Sequence, residues 1–212
     1  DDFPAFYGGI SRNAMLKREF LIVSKVSRMI VSSTELMNRW SVHRKDLALS
    51  LNGCAVESLP QLSALHQQSP AQVFGYIGTI GEWFDWDIVL KLARTVPSMR
   101  IRLIGPIASS VPDSIPTNIE ILGPCRHDGA IAEMVKFCVG IIPFKRNRLT
   151  ASVDPIKYYE YRSLGLPVIS TRFGEMSLRE NEPGIFLIDR CSDLAEAVGA
   201  AKNYQMSLAD IE

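Results

Sequence analysis

At 212 residues, the chain is long enough for one large domain, or for one domain and part of another, with a packed core. Hydrophobic residues make up 47% of it and charged residues 22%, and both values are typical of a globular protein. Its 23 lysine and arginine residues equal its 23 aspartate and glutamate residues, so no net charge attracts it to nucleic acid or acidic lipid.

Membrane spans and metal sites are also disfavoured by the sequence. No apolar run approaches the roughly 18 residues that a membrane span needs, and no signal peptide is recognisable. The four cysteines, Cys54, Cys125, Cys138 and Cys191, form no CxxC pair and no cluster with histidine. Such cysteines are typical of small core residues in a reducing compartment. We therefore expect a cytoplasmic protein without a bound metal.

The first 58 residues predict two helices and two short strands. Residues 10–27 indicate a helix, "RMIVSS" a strand, "TELMNRWSVHRK" a helix opened by Ser33 or Thr34, and "DLALSLNG" a strand ending in an Asn-Gly turn. The polar stretch "AVESLPQLSALHQQSPAQ" that follows is typical of a linker. The chain opens on "DDFPAFYGG", without an initiator methionine, so we interpret residues 1–58 as the remnant of a preceding domain and its hinge.

From residue 70 to residue 205, short apolar runs alternate with amphipathic stretches. The runs are "QVFGYIG", "MRIRLIG", "NIEILG", "CVGIIPF", "PVIST" and "GIFLID", and the stretches are "DWDIVLKLARTV", "DGAIAEMVKF", "DPIKYYEYRSL" and "CSDLAEAVGAAKN". Strands that alternate with helices predict a parallel sheet covered on both faces. The expected fold is α/β, a doubly wound parallel Rossmann-like sheet that binds ligands beyond the carboxyl ends of its strands.

Loops after three of these strands carry residues suited to binding an anion. In "GYIGTIGEWFDW", the amide of Gly78 can approach a phosphate, although glycines at strand ends are also common for plain chain reversal. In "ILGPCRHD", His127 is more typical of a surface or capping residue than of a catalyst. In "PFKRNRLTASVDP", Lys145, Arg146 and Arg148 are either a solvated surface or a diphosphate site.

A glutamate occupies an unexpected place in "SVDPIKYYEYRSLGLPVIST", residues 152–171. Asp154 is suited to cap a helix whose first turn contains Pro155, and "PVIST" indicates a buried strand. A helical period places Glu160 in the middle of the arc that should face the sheet and turns Tyr158 and Arg162 away. The other residues of this arc are Ile156, Tyr159, Ser163 and Leu164.

Three explanations for Glu160 remain open, because a buried carboxylate without partners costs several kcal/mol. It forms a weak pair with Lys157 three residues earlier, which is worth only about 0.2–0.5 kcal/mol. Alternatively, the helix lies near the edge of the sheet, where Glu160 reaches water. In the third explanation, the carboxylate accepts hydrogen bonds from a polyol such as two vicinal ribose hydroxyls.

The segment "DPIKYYEYRSLGLPVIST" resembles the "PxKxxEYxAxGxPVI" segment of bacterial group 1, retaining-type glycosyltransferases with the GT-B architecture, which has two facing Rossmann-like domains. The resemblance extends to "GYIGTIGEWFDWDIVLKLA", "IRLIGP", "NIEILGP", "VGIIPF" and "GIFLI", in the order of the family. "RMIVSSTEL" and "LSLNGC" resemble the end of the acceptor-side domain and the hinge. The resemblance implies that residues 70–205 form the nucleotide-sugar donor domain.

The resemblance also implies a role for each matching residue. Glu160 would receive the ribose hydroxyls of the nucleotide. Lys145 and Arg146 would offset the charge of its diphosphate, without a metal or other cofactor. The backbone near the helix start would meet the diphosphate, and two loop turns would approach it and the base; these residues are Asp154, Pro155, Ile156 and Lys157, then Gly78 and Thr79, and then Gly123, Pro124 and Cys125.

The function implied is transfer of a sugar from a UDP- or GDP-linked donor to a polysaccharide or lipid-linked acceptor, in cell-envelope polysaccharide biosynthesis. We expect no nucleic-acid partner, a location in the cytoplasm or at the inner face of the membrane, and donor binding without turnover from this part alone. Unpaired strand edges in residues 1–58 also predict self-association. The alternatives are a nucleotide-sugar epimerase of the same architecture and a non-catalytic Rossmann-like module.

Overall fold

The N-terminal elements pack around one buried tryptophan. The computed structural model describes residues 12–55 and 72–205, and its first elements are α1 (Arg12–Lys25), β1 (Met29–Val31), α2 (Thr34–Ser41) and β2 (Leu47–Leu49). Trp40 is buried with Val23, Val31 and Leu36. Ser33 caps α2, because its hydroxyl accepts a hydrogen bond from the amide of Leu36 at 3.2 Å. The predicted helices and strands of this part are confirmed, while the linker lies almost entirely outside the described residues.

β1 and β2 form a parallel pair, and several apolar side chains beside it face solvent. Ile30 is 71% exposed and Ile22 58%, which are high values for isoleucine. Exposed apolar surface of this kind favours association with another surface. The expected self-association stays a prediction. None of the described helices is long and apolar enough to cross a membrane.

Residues 72–205 form the expected alternation of strands and helices. In chain order the elements are β3 (Val73–Ile77), α3 (Trp86–Thr95), β4 (Arg100–Ile104), β5 (Ile119–Leu122), α4 (His127–Met134), β6 (Val139–Ile142), α5 (Ile156–Ser163), β7 (Val168–Thr171), a 3₁₀ segment (Gly174–Leu178), β8 (Ile185–Ile188) and α6 (Leu194–Asn203). All six predicted strands and all four predicted helices are confirmed. The 3₁₀ segment was not predicted, because it has no apolar period of its own.

The six strands form one parallel sheet in the order β5-β4-β3-β6-β7-β8. From β3 the chain winds outward to β4 and β5, and it then returns to wind the other way from β6. The helices cover both faces: α6 packs against α3, whereas Phe137 after α4 packs against Tyr161 of α5. This is the doubly wound Rossmann order, and sheets of this order bind ligands in a crevice beyond the carboxyl ends of the strands at the switch point, which are β3 and β6 here.

Two glycines bring an aromatic pair close to the centre of the sheet. Gly75 in β3 and Gly140 in β6 are register neighbours on one face. A Cβ atom at Gly75 would lie 2.0 Å from the ring of Phe137, and one at Gly140 would lie 2.3 Å from the ring of Tyr161. Only glycine leaves room for these rings, so the small residues of the strands set how closely α5 packs.

The predicted buried face of α5 is wrong except at Leu164, which is buried as expected. Tyr161 is fully buried and Arg162 is 9% exposed, whereas Ile156 is 51% exposed. Tyr158, expected to face solvent, donates its hydroxyl to Glu182. The physical reason is that α5 contacts both the sheet and the segment leading to β8, so it is covered along two sides. A single arc calculated from the helical period cannot represent two contacts.

Candidate functional site

The crevice at the switch point is lined by tightly packed backbone. Gly78, directly after β3, has φ of 141°, and Gly105, directly after β4, has φ of 142°. A Cβ atom at Gly105 would lie 2.3 Å from the carbonyl oxygen of Gly78. Both positions therefore favour glycine, because any side chain would be strained and would collide with the neighbouring loop. The conformation of the glycine loop at this edge of the sheet therefore depends on its glycines.

Tyr161 closes the bottom of the crevice. The ladder between β3 and β6 stops at Gly75 and Gly140. Beyond it, the Tyr161 hydroxyl accepts a hydrogen bond from the amide of Ile77 at 3.1 Å and donates one to the carbonyl of Gly75 at 3.3 Å. Burial raises the pKa of Tyr161, so this hydroxyl stays protonated. Where β3 and β6 separate, the Tyr161 hydroxyl therefore takes the place of the main-chain hydrogen-bond partner that β6 no longer provides.

Lys157, in the first turn of α5, reaches over this edge. A Cβ atom at Gly78 would lie 2.6 Å from its Nζ. The Nζ atom lies 5.3 Å from the ring centroid of Tyr76 and 5.5 Å from that of Phe144, within cation–π range. No carboxylate among residues 12–55 and 72–205 pairs with this ammonium. A half-buried cation without an ion-pair partner is chemically suited to bind an anion.

The pKa of Lys157 gives a test of this placement. Burial lowers the pKa below its ordinary 10.5, and Glu160 partly opposes the shift. Between the lowered pKa and 10.5, the unfolded chain keeps the proton that the folded chain has lost. The free energy of unfolding should therefore rise with pH across this window. We expect the unfolding free energy of the wild type, minus that of Lys157→Met, to increase with pH as the pH rises toward 10.5. Denaturant titrations at each pH measure it, and a constant difference would contradict the burial.

Glu160 lies one turn after Lys157 and is half-buried. Only a weak electrostatic attraction links Glu160 to Lys157, since no ion pair within 4 Å joins them in the part of the chain that the structure describes. Its carboxylate also accepts no hydrogen bond from another described residue, and its oxygens are not sealed from solvent. A cation and an anion on one helix thus both lack a hydrogen-bonded protein partner among the described residues.

The expected cap at Asp154 is wrong. The N-cap position is Pro155, and no side chain caps α5. The carboxylate of Asp154 is instead fully buried against Arg179 at 2.9 Å, and it also accepts hydrogen bonds from Tyr159 and from the amide of Asn52, each at 2.8 Å. The carboxylate of Asp154 is engaged in these contacts, and not in a cap, because the chain before α5 lies under residues 50–55. The first-turn amides of α5 therefore have no side-chain acceptor among the described residues.

The other predicted site residues are spread along the edge of the sheet. Thr79 follows Gly78 in the glycine loop, and its carbonyl accepts a hydrogen bond from the hydroxyl of Tyr76. The exposed turn of Gly123, Pro124 and Cys125 follows β5, two strands from β3 or about 10 Å away. The structure does not bring this turn into contact with Lys157 or Glu160.

The basic loop after β6 divides between two places. The Nζ atom of Lys145 donates to the carbonyl of Glu82 at 2.9 Å, and this contact ties the loop to the one after β3. Arg146 points elsewhere and lines a cavity beside α2 with Arg148. The structure therefore places Lys157, rather than Arg146, next to the glycine loop.

Sequence reasoning missed three residues of this region. Tyr161 supports the crevice, while Arg179 and Asn52 hold the start of α5 through Asp154. The two in-strand glycines that face Tyr161 were a usable signal, since glycine inside a strand often marks a close approach. Arg179 and Asn52 had no local signal, because their partner lies 25 and 102 residues away in the sequence.

No protein-family model matches the chain. A curated relative is TuaH of Bacillus subtilis (strain 168), which is assigned to teichuronic acid biosynthesis as a glycosyltransferase. It is 26% identical over 110 residues, which are 50% of this chain and 28% of the relative. The chain therefore spans less than a third of this relative's length.

Solved structures match over more of the chain. Sucrose-phosphate synthase from Thermosynechococcus elongatus matches with a TM-score of 0.66 at 15% identity, over 93% of this chain and 54% of that one. Anabaena Alr3699/HepE, solved in complex with UDP, matches with a TM-score of 0.57 at 18% identity, over 82% of this chain and 53% of that one. The chain has the fold of part of these GT-B structures. It spans about half the length of these GT-B proteins, and its curated relative is also a glycosyltransferase.

Proposed function

We propose that the chain is the part of a glycosyltransferase that binds the nucleoside-diphosphate sugar. The enzyme would transfer the sugar to a cell-envelope polysaccharide or a lipid-linked acceptor. The observation that carries the proposal is the half-buried Lys157 ammonium, which has no carboxylate partner among the described residues and lies against Gly78 at the switch point. Such a group is suited to the diphosphate of a donor. The fold it shares with the UDP complex of HepE and its likeness to TuaH support this interpretation.

Each remaining residue has a role that follows from its place. The uncapped first-turn amides of α5, beside Pro155 and Ile156, add a partial positive charge toward the same diphosphate. The accessible carboxylate of Glu160, one turn further, would accept the ribose hydroxyls. Gly123 and Cys125, two strands away, would flank the base through their backbone.

Charge stabilisation in this arrangement comes from the protein itself. The ammonium of Lys157 and the α5 amides face the diphosphate, whose negative charge grows as it leaves the sugar. Among the described residues, no group of three or more His, Cys, Asp or Glu side chains could hold a metal ion. The proposal assigns the stabilisation of the leaving diphosphate to Lys157 and to the first-turn amides of α5.

Calorimetric titration with UDP and GDP tests the proposal. We expect one of the two nucleotides to bind, and its affinity to fall at least tenfold in Lys157→Met, which corresponds to about 1.4 kcal/mol. Glu160→Ala should weaken the nucleotide by a similar factor but leave the affinity for inorganic pyrophosphate unchanged, because its carboxylate is assigned to the ribose.

Two exposed residues of α6 serve as matched controls. Lys202→Met and Glu196→Ala remove the same charges from a helix that packs on β7 and β8, and neither should change nucleotide affinity. If the folded wild type binds neither UDP nor GDP, the proposed donor site is wrong. If Lys157→Met binds as well as the wild type, the assignment of the diphosphate is wrong.

A further inference from the structure

A second cavity lies between the N-terminal elements and the sheet domain. Its volume is about 470 Å³, within the range of small-molecule sites. α2 forms one wall, the loop after β6 forms another, and the 3₁₀ segment forms the floor. Neither Lys157, Gly78 nor Glu160 lines it, so it is separate from the crevice described above.

The loop that carries the two arginines of this cavity is internally braced. The hydroxyl of Thr150 donates to the carbonyl of Lys145 and accepts from the amide of Asn147 at 3.2 Å. The side-chain oxygen of Asn147 accepts in return from the amide of Thr150 at 3.1 Å. Thr150 is 1% exposed. The turn therefore holds Arg146 and Arg148, on either side of Asn147, at the cavity wall.

The two arginines of the cavity have no partner in its described walls. Across the described ranges, neither Arg146 nor Arg148 forms an ion pair or a hydrogen bond with another residue. Glu175, on the floor, is 4% exposed, and its carboxylate accepts both the amide and the hydroxyl of Thr34. Glu35 is the one carboxylate of the described lining that has no such partner. The charges of the lining balance, with two arginines and two glutamates, but the carboxylate of Glu175 is directed at Thr34 while both guanidinium groups stay open to an anion.

The remaining lining is suited to hydroxyl groups. Asn38 and Glu35 on α2, together with Asn147 and Ser177 on the opposite side, are hydrogen-bonding side chains. Carboxylates and amides of this kind bind hydroxyls, while the forked guanidinium groups of arginine match carboxylate and phosphate. The lining therefore combines a polyol site with an anion site.

We propose that this cavity binds an acidic saccharide, with Arg146 and Arg148 contacting its carboxylate or phosphate and Glu35 and Asn38 contacting its hydroxyls. The inference rests on the proposed function and adds that one of the saccharide substrates is anionic. The same chemistry serves an acidic sugar on the donor and an acidic acceptor. The two sources differ only in whether the anion arrives attached to the nucleotide.

Paired probes distinguish these sources. Calorimetry compares UDP-glucuronic acid with UDP-glucose for the donor, and cellobiouronic acid with cellobiose and glucose 1-phosphate with glucose for the acceptor. The anionic member of at least one pair should bind at least tenfold tighter to the wild type. The double variant Arg146→Ala/Arg148→Ala should lose that preference while its affinity for UDP stays unchanged. Both arginines are exposed, so the unfolding temperature should also stay unchanged.

Arg94→Ala is the matched control. Arg94 is an exposed arginine in the last turn of α3, which returns the chain to the edge of the sheet where the strands begin. Arg94→Ala should therefore keep the preference for the anionic probe. The proposal is overturned if no pair shows a preference, or if the preference survives in the double variant. It is also overturned if the double variant loses UDP as strongly as Lys157→Met does. If only the proposed donor site is wrong, neither UDP nor GDP binds. The acceptor pairs are titrated without nucleotide, so they still measure whether the cavity prefers the anionic saccharide.

Discussion

Arg179→Met is expected to lower the free energy of unfolding by about 3–5 kcal/mol, as measured by denaturant titration. The side chain of Asp154 is 0% exposed and that of Arg179 is 6% exposed, at 2.9 Å from each other. Removing the guanidinium leaves a buried carboxylate without its countercharge. The variant also loses the hydrogen bond from Arg179 to the hydroxyl of Tyr159 and the cation–π contact with Tyr158.

An exposed ion pair of the same kind provides the control for this variant. Arg172 pairs with Glu180 at 2.6 Å, but the carboxylate is 57% exposed. Arg172→Met should therefore lower the free energy of unfolding far less than Arg179→Met does. The double variant Asp154→Leu/Arg179→Met should recover part of the loss, because no unpaired charge is then buried. An Arg179→Met protein as stable as Arg172→Met would show that the pair is not buried in solution.

The same cluster joins the two parts of the chain. Asn52 donates its backbone amide to the carboxylate of Asp154 and its side-chain amide to the carbonyl of Asp154, at 2.8 and 2.6 Å. Asp154 directly precedes α5, the helix of the candidate donor site. We expect the amide of Asn52 to exchange hydrogen faster in Arg179→Met. Faster exchange would show that the position of residues 50–55 is coupled to the start of α5.

Gly140→Ala is expected to lower the free energy of unfolding by about 2–3 kcal/mol, which chemical denaturation measures. The added methyl would lie 2.3–2.8 Å from three ring atoms of Tyr161. This ring cannot retreat cheaply, because it is fully buried, packs beside Phe137 and holds the amide of Ile77 through its hydroxyl. The variant must therefore either strain the ring or push α5 away from the sheet.

Gly199→Ala is a control with the opposite expected sign. Gly199 lies inside α6, and a Cβ atom there would meet nothing within 4 Å. Alanine in a helix interior is favoured over glycine by about 0.5–1 kcal/mol, so this variant should be more stable than the wild type. Equal effects at both positions would contradict the close approach of Tyr161 to β6.

Patterns local to the sequence were sufficient for the secondary structure. The alternation of apolar runs with amphipathic stretches predicted the six strands and four helices of residues 72–205, because a period of 2 or 3.6 reflects neighbouring residues. Ser33 was recognisable as a cap for the same reason, since it acts on an amide three residues away. The glycine loop at Gly78 and the helix with Lys157 were likewise visible before the fold was known.

The roles of polar side chains depended on distant partners. Asp154 resembled a cap in the sequence, but in the structure it pairs with Arg179 and Asn52. Arg146 resembled a phosphate ligand beside Lys145, yet the braced turn directs the two residues to different places. No pattern over a few residues carries this information, because each contact is created when separate elements pack.

By itself, the sequence determined the order of strands and helices, the doubly wound class of the sheet and the glycine loop at its ligand edge. Only the tertiary structure decided which face of α5 is buried, that Lys157 is the unpaired cation at Gly78, and that Arg146 and Arg148 share a cavity with α2. The reason is physical: helix and strand periods arise from local geometry, whereas burial and charge pairing arise between residues that only folding brings together.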